Sequence, residues 1–264
     1  MSAELASING VIGDAAAAVI PATDDGLLRG DGAFEVVRLY AGFPFAMDEH
    51  FARLGASAAN LRLPYDEVAL KAEVKAILAA LGNSDGCLRI VITRGGNRIL
   101  LTEPLPDRGT AVRLATIAYQ STIVLDGIKS LSYAGNMLAG RLAVEKGADE
   151  ALLVTPEGMV LEAPTATFFW VEGGSVFTPP LADRILESIT RRYIFQITGA
   201  VEKSTLLVDL LENADEAFLA STTREIQAVN GIDQREFPAN GAVTADLAGR
   251  LSELVGSALP TDAA

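Results

Sequence analysis

The apolar positions at the start of the chain come in short runs broken by turn residues. "ELASING", "AAAAVIPATDDG", "GAFEVVRLY" and "GFPFAM" read as strands. The Asn9-Gly10 and Ala41-Gly42 pairs suit tight hairpin turns, where positive φ is needed. The period then changes to a helical one. In "DEHFARLGASAANL", Phe51, Leu54, Ala58 and Leu61 recur at helical spacing. In "PYDEVALKAEVKAILAALGN", Leu70, Val74, Ile77, Leu78 and Leu81 share one face, and Gly82 is placed to cap its end. "CLRIVITRGG" and "TAVRLATIAY" read as strands around a loop, "TRGGNRILLTEPLPDRG". The pattern predicts an α+β domain over residues 1–117.

A short linker, 118–126, leads to a second domain over 127–264. An apolar, strand-like run delivers Lys129, and a helix continues to about Lys146. Strands follow in "EALLVT", "MVLEA", "TATFFWVE" and "SVFTPP", separated by Pro156-Glu157-Gly158 and Gly173-Gly174. A helix is expected from Ser188, a strand in "EAFLAST" and a last helix near 244–255. No internal repeat is present.

Composition narrows the function classes. Half of the 264 residues are hydrophobic and 21% are charged, a globular balance. A net charge of −13 repels a phosphate backbone and argues against nucleic acid. The single cysteine, Cys87, excludes an internal disulfide framework and fits a reducing cytoplasm. The first twenty residues lack a basic stretch, and no apolar run reaches the ~18–20 residues of a membrane span. A soluble cytoplasmic protein is the expectation. The single histidine, His50, rules out a multi-histidine metal site, and no metal centre is expected. At the start of a helix, a local structural role suits His50 better than membership of a catalytic triad. A strand–GxGxxG–helix dinucleotide fingerprint is missing.

Four places could carry chemistry. Lys129 ends a segment heading for the core, so its amine either snorkels to water or is held partly desolvated as a nucleophile. Glu162 is a lone carboxylate in "MVLEAPTATFFW", costly there without a partner. "ESITRRYIF" sets Ser188, Ile189 and Thr190 at a helix start, where free N–H groups favour an anion. "LASTTREI" puts Ser221, Thr222 and Thr223 just after a strand, a second anion-binding position.

Taken in order, "RGDGAFEVVRLY", "EHFARL", "GIKSLSYAGNMLA", "ADEALLV", "VLEAPTATFFW", "VFTPP", "SITRR" and "DEAFLASTTREI" resemble the class IV aminotransferases, the fold-type IV enzymes that use pyridoxal 5'-phosphate. The resemblance runs from "SINGVIGD" to about residue 255. It implies a two-domain α+β/α/β fold, with a smaller N-terminal α+β domain and a larger, β-barrel-like C-terminal domain with surrounding helices. By position, Lys129 resembles the lysine that forms a Schiff base with the cofactor aldehyde, and Glu162 the carboxylate facing the pyridine nitrogen. Arg53 matches the arginine at the phosphate, joined by the amides of Ile189 and Thr190 and by Ser221 and Thr222. Tyr133 is placed to approach the 3-oxygen, although branched-chain enzymes set their tyrosine one residue further from the lysine.

The same resemblance implies a homodimer with active sites near the subunit interface, an amino acid or amine donor and a 2-keto acid acceptor. Arg29, Arg94 and Arg98 are candidates for the substrate carboxylate, with Phe34 and Thr223 in the same substrate set; Arg38 lines the pocket or pairs with a carboxylate. The usual histidine near the loop arginine is absent, and Phe34 stands where the family has tyrosine. The leading expectation is a transaminase acting on a D-amino acid or R-amine. The alternatives are an aminodeoxychorismate lyase, forming 4-aminobenzoate and pyruvate, and then an L-branched-chain aminotransferase.

Overall fold

The structure is a computed structural model and describes residues 4–260. It comprises two compact units. One runs to Pro106 and takes in Ile128–Tyr133 and the chain from Val255; the other is Asp107–Gly127 with Ala134–Leu254.

The first unit is built on β1 (Leu5–Ile8), β2 (Val11–Asp14), α1 (Asp25–Arg29), β3 (Gly32–Tyr40), β4 (Phe43–Pro44), α2 (Met47–Leu61), α3 (Glu67–Leu81), β5 (Gly86–Thr93) and β6 (Arg98–Glu103). Its six strands form an antiparallel sheet in the order β2-β1-β6-β5-β3-β4. The β1–β2 turn is the expected Asn9-Gly10, with φ of 51° and 89°. Alternation along β3 sends Ala33, Val37 and Leu39 to the face covered by α2 and α3. There they meet Phe51 and Leu54 of α2, and Leu70 and Ile77 of α3. Each such fully buried side chain contributes about 1.5–3 kcal/mol of transfer free energy.

Three expectations fail here for identifiable reasons. The run "AAAAVIPATDDG" is no strand: Ala15–Ala17 make one 3-10 turn, with the Asp14 carboxylate accepting from the Ala16 N–H. Alanine has weak strand preference and Pro21 lacks a donor. The segment read as a loop holds β6, paired with β1 on one edge and β5 on the other. Lys129 does not end a regular strand either. Ile123–Leu125 form a 3-10 turn, and an isolated bridge, Ala33↔Ser130, then lays residues 129–131 along β3.

The second unit contains β7 (Ala111–Ala118), α4 (Ala134–Glu145), β8 (Glu150–Val154), β9 (Thr167–Glu172), β10 (Ser175–Thr178), α5 (Ile189–Thr198), β11 (Val201–Glu202), α6 (Leu207–Asn213), β12 (Glu216–Ser221), β13 (Glu225–Ile232) and β14 (Arg235–Glu236); α7 (Ala242–Ala258) begins in it. The sheet order is β11-β10-β9-β12-β13-β7-β8, with β14 beside β13. β7 lies parallel to both neighbours. Along β9 the alternation divides two cores. Phe168 and Trp170 stack at 6.1 Å on one side, while Phe169 stacks on Phe218 at 5.0 Å on the other, under Ile194 of α5. "MVLEA" makes only isolated bridges, Val154↔Val160 and Met159↔Leu206, instead of the expected strand.

Candidate active site

In the first unit the lysine is anchored by its main chain. The Lys129 N–H donates to Ser57 Oγ of α2 at 3.2 Å, and its carbonyl accepts from the Phe34 N–H at 3.1 Å. Leu131 N–H then donates to the Gly32 carbonyl at 2.8 Å. The amine lies 4.4 Å from the centroid of the Phe34 ring and 6.0 Å from that of Tyr133. Those two rings meet edge to face at 5.4 Å. Sequence-predicted Lys129, Phe34 and Tyr133 thus come together, the lysine half-buried and its nitrogen beside aromatic surface.

On the opposite face of β3, Glu35 is fully buried and receives three hydrogen bonds. Arg53 Nε donates to Oε1 and Nη2 to Oε2, and His50 Nδ1 bonds Oε2, all at 2.7 Å. Burial would raise the Glu35 carboxyl, but the Arg53 charge and these bonds overcome it and hold the group at about 2. Burial lowers His50 below its ordinary value despite Glu35, so the ring is neutral near pH 7 and its Nδ1–H donates. Sequence reasoning placed His50 and Arg53 on α2 and missed Glu35. The available signal was a lone carboxylate in the apolar run "AFEVV", which needs a cationic partner.

The candidate substrate arginines of the first unit all have partners. Arg29 pairs with Asp25 and is largely exposed. Arg94 pairs with Asp31 at 2.9 Å and donates to the carbonyls of Leu61 and Arg62. Arg98 pairs with Glu73 at 2.6 Å. Arg38 is buried, donates to the carbonyls of Leu39 and Gly86, and covers the Tyr40 ring at 4.5 Å. It pairs with backbone oxygens where a carboxylate was an expected partner.

The second unit holds the other predicted residues. Glu162 follows the bridged segment beside β8, its carbonyl accepting from Leu153 N–H at 2.9 Å. Its Oε1 accepts from the Leu186 N–H at 3.0 Å. Burial, and then the Glu162 charge, raise the nearby Tyr119 phenol. Ser188 caps α5 as expected, its Oγ accepting from the Arg191 N–H. The first helical amides, on Ile189 and Thr190, have no carbonyl one turn earlier to bond. Ile189 and Thr190 are buried, and α5 packs through Ile194 into the core cluster that holds Ala220 of β12. At the end of β12, Ser221 Oγ is buried without a hydrogen-bond partner, and half-buried Thr222 and Thr223 follow it. An orphaned hydroxyl and a capped helix start fit an anionic oxygen group such as a phosphate.

Comparison with known proteins shows the family. The family model for amino-transferase class IV matches residues 32–232. The D-alanine aminotransferase of Bacillus licheniformis is 30% identical over 248 residues, covering 85% of this chain and 87% of its own. A fold IV-transaminase of Curtobacterium pusillum superposes with a TM-score of 0.83 at 28% identity, over 94% of this chain and 98% of its own. A branched-chain aminotransferase of Thermoproteus uzoniensis, solved with norvaline, gives 0.86 at 27% identity, over 95% and 94%.

Proposed function

The chain belongs to the class IV aminotransferases, and within that family we propose that it moves the amino group between a D-amino acid and a 2-keto acid. It is a pyridoxal 5'-phosphate-dependent enzyme of the fold-type IV class, with an amino donor and a keto-acid acceptor as substrates. The D-amino acid reading is supported by relatives named D-alanine aminotransferases, that of Bacillus licheniformis among them, while a putative branched-chain aminotransferase of equal similarity keeps the L-branched-chain reading as the alternative.

The cofactor, when bound, supplies an aldehyde that condenses with amines and a ring that accepts the electron pair left at the substrate Cα. We assign Lys129 Nζ as the nucleophile toward that aldehyde and as the base that takes the Cα proton, backed by the Phe34 and Tyr133 rings. Glu162 keeps a proton at the pyridine nitrogen; the Leu186 N–H orients its carboxylate. Arg53, fixed in rotamer by Glu35, is assigned to the phosphate, as are the amides of Ile189 and Thr190 and the hydroxyls of Ser221 and Thr222. Tyr133 is assigned to the 3-oxygen. Arg29, Arg94, Arg98, Phe34 and Thr223 remain the proposed substrate set, and release of an arginine from its present carboxylate would have to accompany substrate binding.

A homodimer is part of this reading. In the second unit α4 exposes Met137, Leu138 and Leu142, and the preceding 3-10 turn exposes Ile123 and Val124. Exposed large apolar side chains of this kind suit burial against a second copy. No helix among the described residues is long and apolar enough to cross a membrane.

The test is a mixture of enzyme, D-alanine and 2-oxoglutarate. Appearance of pyruvate and D-glutamate is expected. If L-leucine alone serves as donor, the branched-chain reading replaces this one. If 4-aminobenzoate forms from aminodeoxychorismate without a keto acid, the lyase reading does.

A further inference from the structure

The turn between β12 and β13 carries an imbalance of buried charge. Arg224 opens that turn's return, its N–H donating to the Ser221 carbonyl at 3.1 Å. Its side chain is only 3% exposed. Nη2 donates to Glu150 Oε2 at 2.6 Å and reaches Thr165 Oγ1 at 3.5 Å, and Nη1 donates to Gln227 Oε1 at 2.5 Å. Its Nε is buried with no acceptor. Burial, and then the charge of neighbouring Arg108, pull this guanidinium down to about 10, against the opposing pull of Glu150.

Arg108 repeats the deficit. Its carbonyl is held by Gln227 Nε2 at 2.5 Å, which fixes the backbone beside Arg224. Its Nε is likewise buried without an acceptor, while the residue as a whole is half-buried and open to solvent. Among the described residues Arg224 therefore has Glu150 as its carboxylate, Arg108 has no carboxylate partner, and each guanidinium carries a buried Nε–H without an acceptor. A buried donor left unmade costs more than an ordinary hydrogen bond gains. A structural pair in a chain of net charge −13 had carboxylates in plenty to draw on.

We propose that Arg108 and Arg224 form a subsite for the second carboxylate of a dicarboxylic substrate, on the turn that carries Thr222 and Thr223. The inference rests on the transaminase reading for the identity of the ligand. Glu150 answers Arg224 and leaves the positive charge of Arg108 unmatched, which one carboxylate neutralises and a phosphate dianion would overshoot. The planar forks match a carboxylate in geometry as well.

Calorimetry on the holoenzyme tests this with two unreactive acids, glutarate and butyrate. The wild type is expected to bind glutarate at least tenfold more tightly. Arg108→Gln should bring the two affinities within about twofold, and Arg108→Lys should keep part of the preference. Arg108 is the better probe because Arg224 is tied to three partners. Equal affinities in the wild type, or an undiminished preference in folded Arg108→Gln, would overturn the subsite. Failure of the transaminase reading shows separately, as absence of D-glutamate from D-alanine and 2-oxoglutarate while glutarate still binds.

Discussion

Glu35 and Arg53 are joined by two parallel hydrogen bonds of 2.7 Å, fork to fork, across the interface of β3 and α2. The carboxylate is fully buried and the guanidinium nearly so. Removing one member of such a pair strands the other's charge, at a cost of about 3–5 kcal/mol. Arg53→Ala should lose that much in urea unfolding of the cofactor-free protein and should also weaken cofactor retention. Adding Glu35→Gln should recover part of the stability and none of the retention. If both losses recover together, Arg53 serves the fold alone.

Acid should weaken the same cluster in two windows. His50 has a folded-state value below its ordinary one, so the unfolded chain binds more protons as pH falls below about 6.5. Its contribution is whole above that value and is lost as pH falls through the depressed one. Glu35 follows the same sign, its stabilisation complete above the ordinary carboxylate range and lost toward about 2. Thermal denaturation between pH 7 and 5 should show a falling Tm, with a shallower slope in His50→Gln.

Lys129→Ala should lower turnover by roughly 10²–10⁴-fold or more, the range for loss of a positioned acid–base group. Circular dichroism should be unchanged. Borohydride reduction and peptide mapping of the wild type should find the pyridoxyl group at residue 129.

Gly32 sits where β3 meets the lysine segment. A Cβ built there would lie 2.5 Å from both the Ile92 carbonyl oxygen and Leu131 Cδ1. Gly32→Ala should cost about 1–3 kcal/mol by overpacking and, by pushing Leu131 away, should lower kcat more than a surface alanine would. A variant with full activity would show that the 128–133 strip tolerates displacement.

Glu216 is buried and accepts from the Val243 and Thr244 N–H groups and from Thr244 Oγ1, closing the start of α7. Glu216→Ala should cost about 1–3 kcal/mol, and hydrogen exchange should show the gain in fraying confined to the first turn of α7.

What the chain revealed in advance depended on how local each cause was. Asn9-Gly10, Ala41-Gly42 and Ser188 act within a few residues, and each turn or cap stands where it was expected. β6 was hidden because its partners, Ala6–Ile8 and Cys87–Ile92, are chosen by distant pairing. Glu35 escaped notice for a related reason: its role exists only once α2 folds back over β3. Lys129, Glu162 and Arg53 were singled out as proposed site residues by ordered motifs, whereas the ion pairs of Arg94 and Arg98 needed coordinates. The Arg108–Arg224 pairing lies in neither local pattern nor motif.

The bonds that clamp residue 129 on both sides have a consequence for engineering. With its root pinned to Ser57 and Phe34, only the side-chain torsions remain to place the nitrogen. Shortening that arm by a single methylene would leave a gap the main chain cannot close. Catalysts with altered reach would therefore have to be sought by resizing the aromatic wall at Phe34, not by changing the length of the tether.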